Sequence, residues 1–399
     1  MKARHVVLFV ACCIVARGAA AQTLPDEPIS VGDGRLVVSG DVAASIAAQD
    51  TGFFNYSDYE HSALREFRLS ATALVRASER ISFLGEFRSE NLNSPTPFGL
   101  YARIRPFPKR RLDIQIGRIP PTFGRFPRQA YSRDNPLIGY PLAYQYLTSL
   151  RPDAIPATPD ELLTMRARGW LSNYTVGDPG RARGVPLVTA FNWDTGVQVT
   201  TGWKVLTVTG AVTNGTPANP RVLDDNSGKQ VAARVAVAAS PGLTLGSSFA
   251  RGQFLDRRVL AAIGDYDEPF TQRAYGADAE YSLGHLTTRA DAVLSEWRMP
   301  FVATQTTQTL RALALSLEGR YAFLPGAYAA ARVEHLGFNR IAGTSRPLMW
   351  EAPVSRVEIG GGYYLQRNVV ARVSLQINDR EGGRVTHARF LTGQLLYWF

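Results

Sequence analysis

Hydrophobic and polar residues alternate with a period of two along many segments of this chain. In VVARVSLQIN (369–378), Val373 and Leu375 fall on one face, whereas Ser374 and Gln376 fall on the other. Successive side chains of a β-strand point to opposite faces of its sheet, so this period predicts strands with one apolar face and one polar face. The same pattern recurs in segments 66–76, 310–321, 328–336 and 355–364.

Connections of two lengths separate these segments. Tight turns such as SLGH (282–285) and LPGA (324–327) largely alternate with long connections rich in Gly, Pro, Asn and Asp. The long connections cover residues 49–62, 120–185, 215–228, 254–271, 299–308, 338–353 and 379–385. This alternation is typical of up-and-down barrels in the outer membrane, which have short periplasmic turns and long outer loops.

The pattern predicts strands at 35–47, 64–77, 81–92, 97–106, 112–119, 189–200, 204–214, 229–239, 243–253, 272–281, 286–298, 309–323, 327–337, 354–364, 369–378 and 386–399. Single-chain bacterial barrels close with an even number of strands, and 14 or 18 are the neighbouring alternatives. The predicted fold class is all-β, a transmembrane antiparallel up-and-down β-barrel of about 16 strands. In this register Val373 and Leu375 face lipid, and Ser374 and Gln376 face water.

The chain ends on the aromatic strand RFLTGQLLYWF (389–399). Leu391, Leu395, Tyr397 and Phe399 share one face of this strand, which predicts a lipid-facing row with an aromatic girdle at its end. A terminal aromatic residue resembles the signal that the outer-membrane assembly machinery recognises. The alternative is the last strand of a soluble β-sandwich, but sandwiches usually turn every 8–12 residues.

The first residues, MKARHVVLFVACCIVARGAAAQ, predict a secretory signal peptide over 1–21. Lys2 and Arg4 precede a short apolar stretch, and the small residues 19–21 form a cleavage site. The alternative is a lipoprotein signal on Cys12 or Cys13. Beyond the leader no run of 18 apolar residues occurs, so no transmembrane helix is expected, which fits a soluble secreted protein or a β-barrel. The strand pattern favours the barrel, over residues 22–399.

Composition and motifs exclude several classes of function. The chain has two cysteines, and both lie in the leader, so no disulfide framework is predicted. Histidines lack metal-ligand spacing, and neither a Walker loop nor a Gly-x-Ser-x-Gly elbow occurs, so we expect no cofactor, no metal and no enzyme. The formal net charge is +10, but the basic residues are spread over strand faces and loops, which argues against nucleic-acid binding.

The polar strand faces are rich in charges of both signs. Their arginines are Arg68, Arg76, Arg88, Arg103, Arg105, Arg234, Arg289, Arg320, Arg332, Arg356 and Arg372. Their acidic residues are Asp41, Glu66, Glu86, Glu90, Asp113, Asp278, Glu280, Asp291, Glu318, Glu334 and Glu358. Such faces predict a wet lumen rather than a packed core, in which most arginines form ion pairs along the wall.

Two arginine clusters stand out from this balanced wall. Arg103 and Arg105 share one strand face, and Arg125, Arg128 and Arg133 begin the long segment 120–185. Long loops are usually functional, so we expect this segment to fold inward and narrow the pore, where arginines attract anions. The alternative is an outer lid whose charges face water or lipopolysaccharide. Arg68 and Arg76 are further pore-lining candidates.

Two stretches resemble the phosphate-selective porin O and P family. LDIQIGRIPPTFGRFPRQAYSRDNP (112–136) resembles a strand of that family that ends in Gly, a basic residue, Pro and Phe-Gly, and FNWDTGVQVTTGWKVLTVTGAVTNG (191–215) resembles its Asp-x-Gly strand and following hairpin. The resemblance implies a 16-stranded, trimeric outer-membrane porin with loops in the channel and a ladder of basic residues. Here the wall charges balance, and beyond the leader lysine occurs only at 109, 204 and 229.

These inferences predict an outer-membrane porin, a passive diffusion channel for small hydrophilic solutes with an anion, phosphate-like preference. The expected partners are membrane lipids and lipopolysaccharide, small anions, the assembly machinery and two further copies in a homotrimer. The alternative function is a non-transporting outer-membrane barrel, either a structural or adhesion protein or a barrel enzyme using a serine with His61, His285, His335 or His387.

Overall fold

Sixteen antiparallel strands form one closed sheet in the computed structural model, which describes residues 25–56, 62–107, 111–129, 133–223, 228–264, 269–344 and 346–399. The strands are β1 (Leu36–Ala47), β2 (Phe67–Arg76), β3 (Ile81–Glu90), β4 (Thr96–Ile104), β5 (Arg111–Ile119), β6 (Asp194–Trp203), β7 (Leu206–Thr213), β8 (Gln230–Ser240), β9 (Leu243–Gln253), β10 (Thr271–Leu283), β11 (Leu286–Phe301), β12 (Thr306–Leu324), β13 (Ala327–Phe338), β14 (Val354–Gln366), β15 (Val369–Arg380) and β16 (His387–Trp398). The predicted fold class and strand number are confirmed. The predicted leader, residues 1–21, lies outside the described residues.

The sheet closes because β1 pairs with both β2 and β16. Asp41 lies opposite Ser70 on one side and opposite Trp398 on the other. Beyond the end of β16, Phe399 continues the pairing: its N–H donates to the carbonyl of Gly40 at 3.0 Å, and its own carbonyl accepts from the N–H of Gly40 at 3.1 Å. Closure leaves no open sheet edge, which lipid could not satisfy with hydrogen bonds.

Among the described residues, six tight turns and both ends of the sheet lie at one rim, which we call the periplasmic rim, and the loops lie at the other. We name the loops by the strands they follow: L1 (48–66), L2 (91–95), L3 (120–193), L4 (214–229), L5 (254–270), L6 (302–305), L7 (339–353) and L8 (381–386). L6 is shorter than the predicted 299–308, because Met299 pairs with Gln308 and Phe301 with Thr306 and both strands lengthen. The predicted strand start at 189 was also wrong, because residues 189–193 belong to L3.

Other regular elements are short. In the described parts of the loops lie the α-helices α1 (Leu142–Gln145), α2 (Pro159–Thr164) and α3 (Arg257–Ile263) and the 3-10 turns Phe126–Gln129 and Val302–Thr304. A short strand, Ile29–Val31, pairs with the start of β1, and small two-residue pairings join Ala154–Ile155 to Val176–Gly177 and Arg340–Ile341 to Leu348–Met349. Within the described ranges, no helix is long and apolar enough to span a bilayer.

The outward face of the barrel is apolar, as the period of two predicts. Val373 is 54% exposed and Leu375 41% exposed, and both point away from the lumen. Ser374 and Gln376 point inward, so the predicted register is right. The expectation that they face water was wrong, because both are almost fully buried and the amide of Asn55 in L1 donates to Gln376 at 2.7 Å.

The wet interior predicted from the wall charges was also only partly right. A buried apolar cluster lies inside the barrel, built largely from L3 side chains such as Tyr140, Leu142 and Tyr144 together with Phe54 of L1. It packs against inward strand residues of which Trp297 is fully buried. The loops and the inward apolar residues at the loop-side ends of the strands therefore form a packed interior together.

We predict that deleting Phe399 lowers the yield of folded barrel, because it removes both backbone bonds to Gly40 and the ring that lies over that glycine. The heat-modifiable form in outer membranes measures this yield. Phe399→Tyr keeps the bonds and the ring and should assemble normally. Full assembly of the deletion variant would contradict the role of this residue in closure.

Single cysteines provide a test of the register and of the loop cover. Cysteines at 373 and 375 should react with a lipid-soluble maleimide in vesicles, because these positions face outward. Cysteines at 374 and 376 should react slowly with every reagent until the barrel is unfolded, because the loops bury them. Rapid labelling of 374 or 376 by a water-soluble reagent would show that the loops do not cover this wall.

Candidate functional site

Inward charged side chains of β13 and β14 hold the backbone of L3. Arg332 donates to the carbonyl of Gly139 at 2.7 Å, and Glu358 accepts from the N–H of the same residue at 2.9 Å. Glu334 accepts from the N–H of Leu142 at 2.8 Å. All three side chains are buried, so this part of L3 is bound to the inward wall of the barrel.

Arg356 on β14 joins L3 to L1. Its guanidinium donates to the carbonyl of Tyr140 at 3.0 Å, to the carbonyl of Phe54 at 2.9 Å and to the side chain of Asn378 at 2.7 Å. The residue is 1% exposed. A buried charge is tolerated only when it is paired and hydrogen-bonded, and here two loop carbonyls serve that purpose.

Glu351 of L7 holds a second part of L3. Its carboxylate accepts from the N–H groups of Ser149 at 2.9 Å, Ala167 at 2.5 Å and Ala352 at 2.7 Å. Burial raises the pKa of Glu351, and these backbone donors act in the opposite direction. Two separate segments of L3 and the backbone of L7 itself therefore converge on the buried carboxylate of Glu351.

The tyrosines of L3 complete the packing. Tyr140 lies against Phe191, with ring centroids 4.5 Å apart, and its hydroxyl accepts from Arg68 at 3.0 Å. Burial raises the pKa of Tyr146 to about 12. Arg68, predicted to line the pore, is 2% exposed and is part of this packed network.

A small cavity of about 40 Å³ lies in the middle of the barrel. Arg289 bridges Glu280 at 2.8 Å and Glu318 at 2.9 Å, and Arg125 of L3 pairs with Glu280 as well. The charged residues that line this cavity are Arg125, Arg289, Arg332, Asp278, Asp291 and Glu318. Three basic and three acidic residues of the described ranges line the cavity, so the net charge around the middle of the lumen is close to zero.

The loop rim contains a larger cleft, of about 610 Å³, between L1, L3, β15 and L8. Five arginines line it, which we call the arginine cleft: Arg166, Arg168, Arg181, Arg380 and Arg384. No acidic residue lines the cleft in the part of the chain that the structure describes. Trp170 stacks on Phe53 beside these arginines, with ring centroids 3.8 Å apart.

The periplasmic mouth contains the predicted Arg103 and Arg105 cluster. Both guanidinium groups contact Asp113, with Arg105 at 3.2 Å. Arg105 remains 57% exposed and lines a cleft of about 470 Å³ that also contains Arg80 and Arg111. Arg76 is likewise exposed, at the periplasmic end of β2.

The predicted loop cluster does not act as one group in the structure. Arg125 is paired in the middle of the lumen, whereas Arg133 is 44% exposed and lies 3.6 Å from Asp134. Arg128 lies in the turn Phe126–Gln129, and its side chain lies outside the described residues. Five other arginines converge in the arginine cleft, three from L3, one from β15 and one from L8. The arginine excess of L3 did not show which arginines converge.

Several bacterial outer-membrane barrels share this fold. An anion-selective porin from Comamonas acidovorans has a TM-score of 0.56 at 8% identity, over 91% of this chain and 99% of that chain. The trimer form of OmpT from Vibrio cholerae has a TM-score of 0.54 at 9% identity, over 91% and 99%. OmpF of Salmonella typhi in complex with daunomycin has a TM-score of 0.54 at 12% identity, over 91% and 97%.

No protein-family model and no curated protein sequence matches the chain. The resemblance to the phosphate-selective porin O and P family therefore stays a prediction. The fold itself is that of bacterial outer-membrane porins, with an apolar outward face and one long loop inside the barrel. The outer-membrane localisation predicted from the sequence agrees with this fold.

We predict that Arg356→Met loosens L1 and L3. The substitution keeps the bulk but leaves the carbonyls of Tyr140 and Phe54 without their charged donor, and each unpaired buried group costs about 1–3 kcal/mol. L3 should then be cleaved faster by proteases in the folded barrel, and channel currents should be larger and noisier. Arg76→Met, at an exposed position, is the control. Equal cleavage of both variants would show that Arg356 does not anchor the loops.

Proposed function

We propose that the chain is a porin, a passive diffusion channel for small hydrophilic solutes that prefers anions. The observation that carries this proposal is the arginine cleft at the loop rim, where five arginines surround about 610 Å³ of solvent. A concave site lined by one sign of charge concentrates counter-ions at its entrance. An anionic solute would meet this cleft before it reaches the narrow middle of the barrel.

The position of the arginines decides how strongly they act. Two unit charges 4 Å apart interact by about 1 kcal/mol in bulk water and about 4 kcal/mol at an effective dielectric near 20. Arg380 is buried at the base of the cleft, whereas Arg168 and Arg181 are exposed at its surface. Exposed charges are screened within about 8 Å at physiological salt, so Arg168 and Arg181 act mainly on an anion that has entered the cleft. The guanidinium of Arg380 already donates to the carbonyls of Gly52, Gly382 and Val385, so Arg380 adds positive charge at the base of the cleft but few free donors.

The rest of the lumen supports a mild rather than a stringent preference. Charges balance around the middle cavity, and Asp113 partly neutralises Arg103 and Arg105 at the periplasmic mouth. On the wall, Arg332 and Arg356 bind loop carbonyls rather than presenting free cations to the lumen, which supports a mild preference. We therefore propose selection by charge at the entrance, with phosphate as one of several accepted anions.

We also propose that the chain is not an enzyme. His335 and His387 point outward from the barrel and contact Ser355 and Asp379 respectively, and His285 lies in a periplasmic turn. None of these three faces the lumen, where a hydrolase would need its base. His61 lies outside the described residues.

Assembly and partners complete the proposal. OmpT of Vibrio cholerae, described in a trimer form, shares the fold, and we propose a homotrimer for this chain as well. The apolar outward face is suited to contact with membrane lipids. We propose that the outer-membrane assembly machinery recognises the last strand, β16, together with the terminal Phe399. We propose no cofactor and no nucleic-acid partner.

Ion selectivity in planar bilayers tests the function. Arg166→Gln, Arg168→Gln and Arg181→Gln combined should lower the permeability ratio of chloride to potassium by about twofold or more, because fixed entrance charge sets the preference. The reversal potential in a salt gradient measures this ratio. Absence of any channel current from the folded wild-type barrel would overturn the porin proposal.

Two further variants locate the selective element. Combined Gln substitutions at Arg251, Arg273 and Arg311 remove the same charge from the outward face of β9–β12 and should leave selectivity unchanged. A larger shift on replacing Arg103 and Arg105 than on replacing the cleft residues would move the selective element to the periplasmic mouth.

A further inference from the structure

A row of arginines lies on the outward face of the barrel near the loop rim. Arg251 on β9 pairs in register with Arg273 on β10, Arg273 with Glu296 on β11, and Glu296 with Arg311 on β12. All four residues lie at positions whose side chains point outward from the barrel, and the three arginines are exposed. We call these three arginines the outer arginine row.

Positive charge dominates this row. Glu296 pairs with Arg311 at 2.8 Å, so two of the three arginines are not balanced by an acid within the row. On β8 the position next to Arg251 is Val231, which is 53% exposed, so the charge does not extend onto that strand. Neighbouring strands lie about 4.8 Å apart, so Arg251 and Arg311 are separated by about 14 Å across the sheet.

Apolar residues begin directly on the periplasmic side of the row. Phe249 and Tyr275 lie two residues below Arg251 and Arg273, and their ring centroids are 5.4 Å apart. Leu294 and Leu313 continue this band under Glu296 and Arg311. The arginines therefore lie at the boundary between the apolar belt and the polar rim, where arginine side chains extend toward lipid headgroups.

The outward face below this band contains a shallow depression of about 600 Å³. Alanines of β10 and β11 form its floor, and Leu315, Leu317 and Val333 of β12 and β13 border it. The floor alanines are Ala277, Ala279, Ala290 and Ala292. Ala277 lies four residues from Arg273 on β10, about 14 Å along the strand.

We propose that the outer arginine row and this depression together bind a phosphorylated glycolipid of the outer leaflet. The phosphates pair with Arg251, Arg273 and Arg311, and an acyl chain lies over the alanine floor. Arginine suits phosphate because its planar guanidinium can donate two parallel hydrogen bonds. The vertical order of charge, aromatic band and apolar depression matches the order of headgroup and acyl chain in such a lipid.

Lipid retention by the purified, folded barrel tests this site. The probes are diphosphorylated lipid A and the same glycolipid without its phosphates, added in detergent and followed by native mass spectrometry. Arg251→Gln, Arg273→Gln and Arg311→Gln combined should lower retention of the phosphorylated probe by about tenfold or more, because each surface cation adds to the attraction for anionic lipid. The dephosphorylated probe should bind wild type and variant equally.

Two variants with opposite expected effects on lipid retention separate loss of binding from loss of folding. Glu296→Gln removes the acid from the row and should increase retention of the phosphorylated probe. Ala277→Phe combined with Ala290→Phe fills the depression and should weaken both probes to a similar extent. The triple variant in the arginine cleft, with Arg166, Arg168 and Arg181 replaced by Gln, removes the same charge and should retain lipid like wild type.

Unchanged retention in the triple variant of the outer arginine row would overturn the proposal. An equal loss of both probes in that variant would also overturn it, because the phosphate would then have no role. Displacement of the phosphorylated probe by excess inorganic phosphate would assign the arginines to free anions rather than to a lipid. These outcomes are separate from ion selectivity, which the outer arginine row should not affect.

Discussion

The requirement that every backbone amide and carbonyl be paired inside a bilayer shapes this molecule. A sheet in lipid has no water to satisfy an open edge, so β1 must pair with both β2 and β16, and Phe399 extends that pairing to the last residue. Once the sheet is closed, the pleat of each strand places successive side chains alternately toward lipid and toward the lumen. The outward apolar faces, the inward charges and the enclosed space for L3 all follow from this one constraint.

The inward charges solve a second problem of backbone pairing. L3 carries buried N–H and C=O groups that have no regular secondary structure to bind them. Arg332, Arg356, Glu334 and Glu358 on the wall supply the missing partners, as Glu351 does from L7. In the sequence these inward charged residues look like the lining of a solute pathway. In the structure they bind the backbone of the loops, and the loops narrow the lumen.

Unbalanced charge is left at the two surfaces where ligands could arrive. The arginine cleft presents cations to solutes at the loop rim, and the outer arginine row presents them at the lipid boundary. Between these regions the lumen charges pair with one another, as Arg289 does with Glu280 and Glu318. The two cationic surfaces are therefore separated by an interior in which these charges are paired.

The period of two determined the strands, their number, the register of Val373 and Leu375 and the closing aromatic strand, because each depends on residues adjacent in sequence. The arginine excess of L3 was visible too, but its pattern favoured Arg125, Arg128 and Arg133, whereas Arg166, Arg168 and Arg181 meet Arg380 and Arg384 in one cleft. Only the tertiary structure decided this, because L3 has no period that predicts its path. The burial of Ser374 and Gln376 was likewise hidden, since the loops that cover them are distant in sequence and are held by contacts that no local pattern encodes.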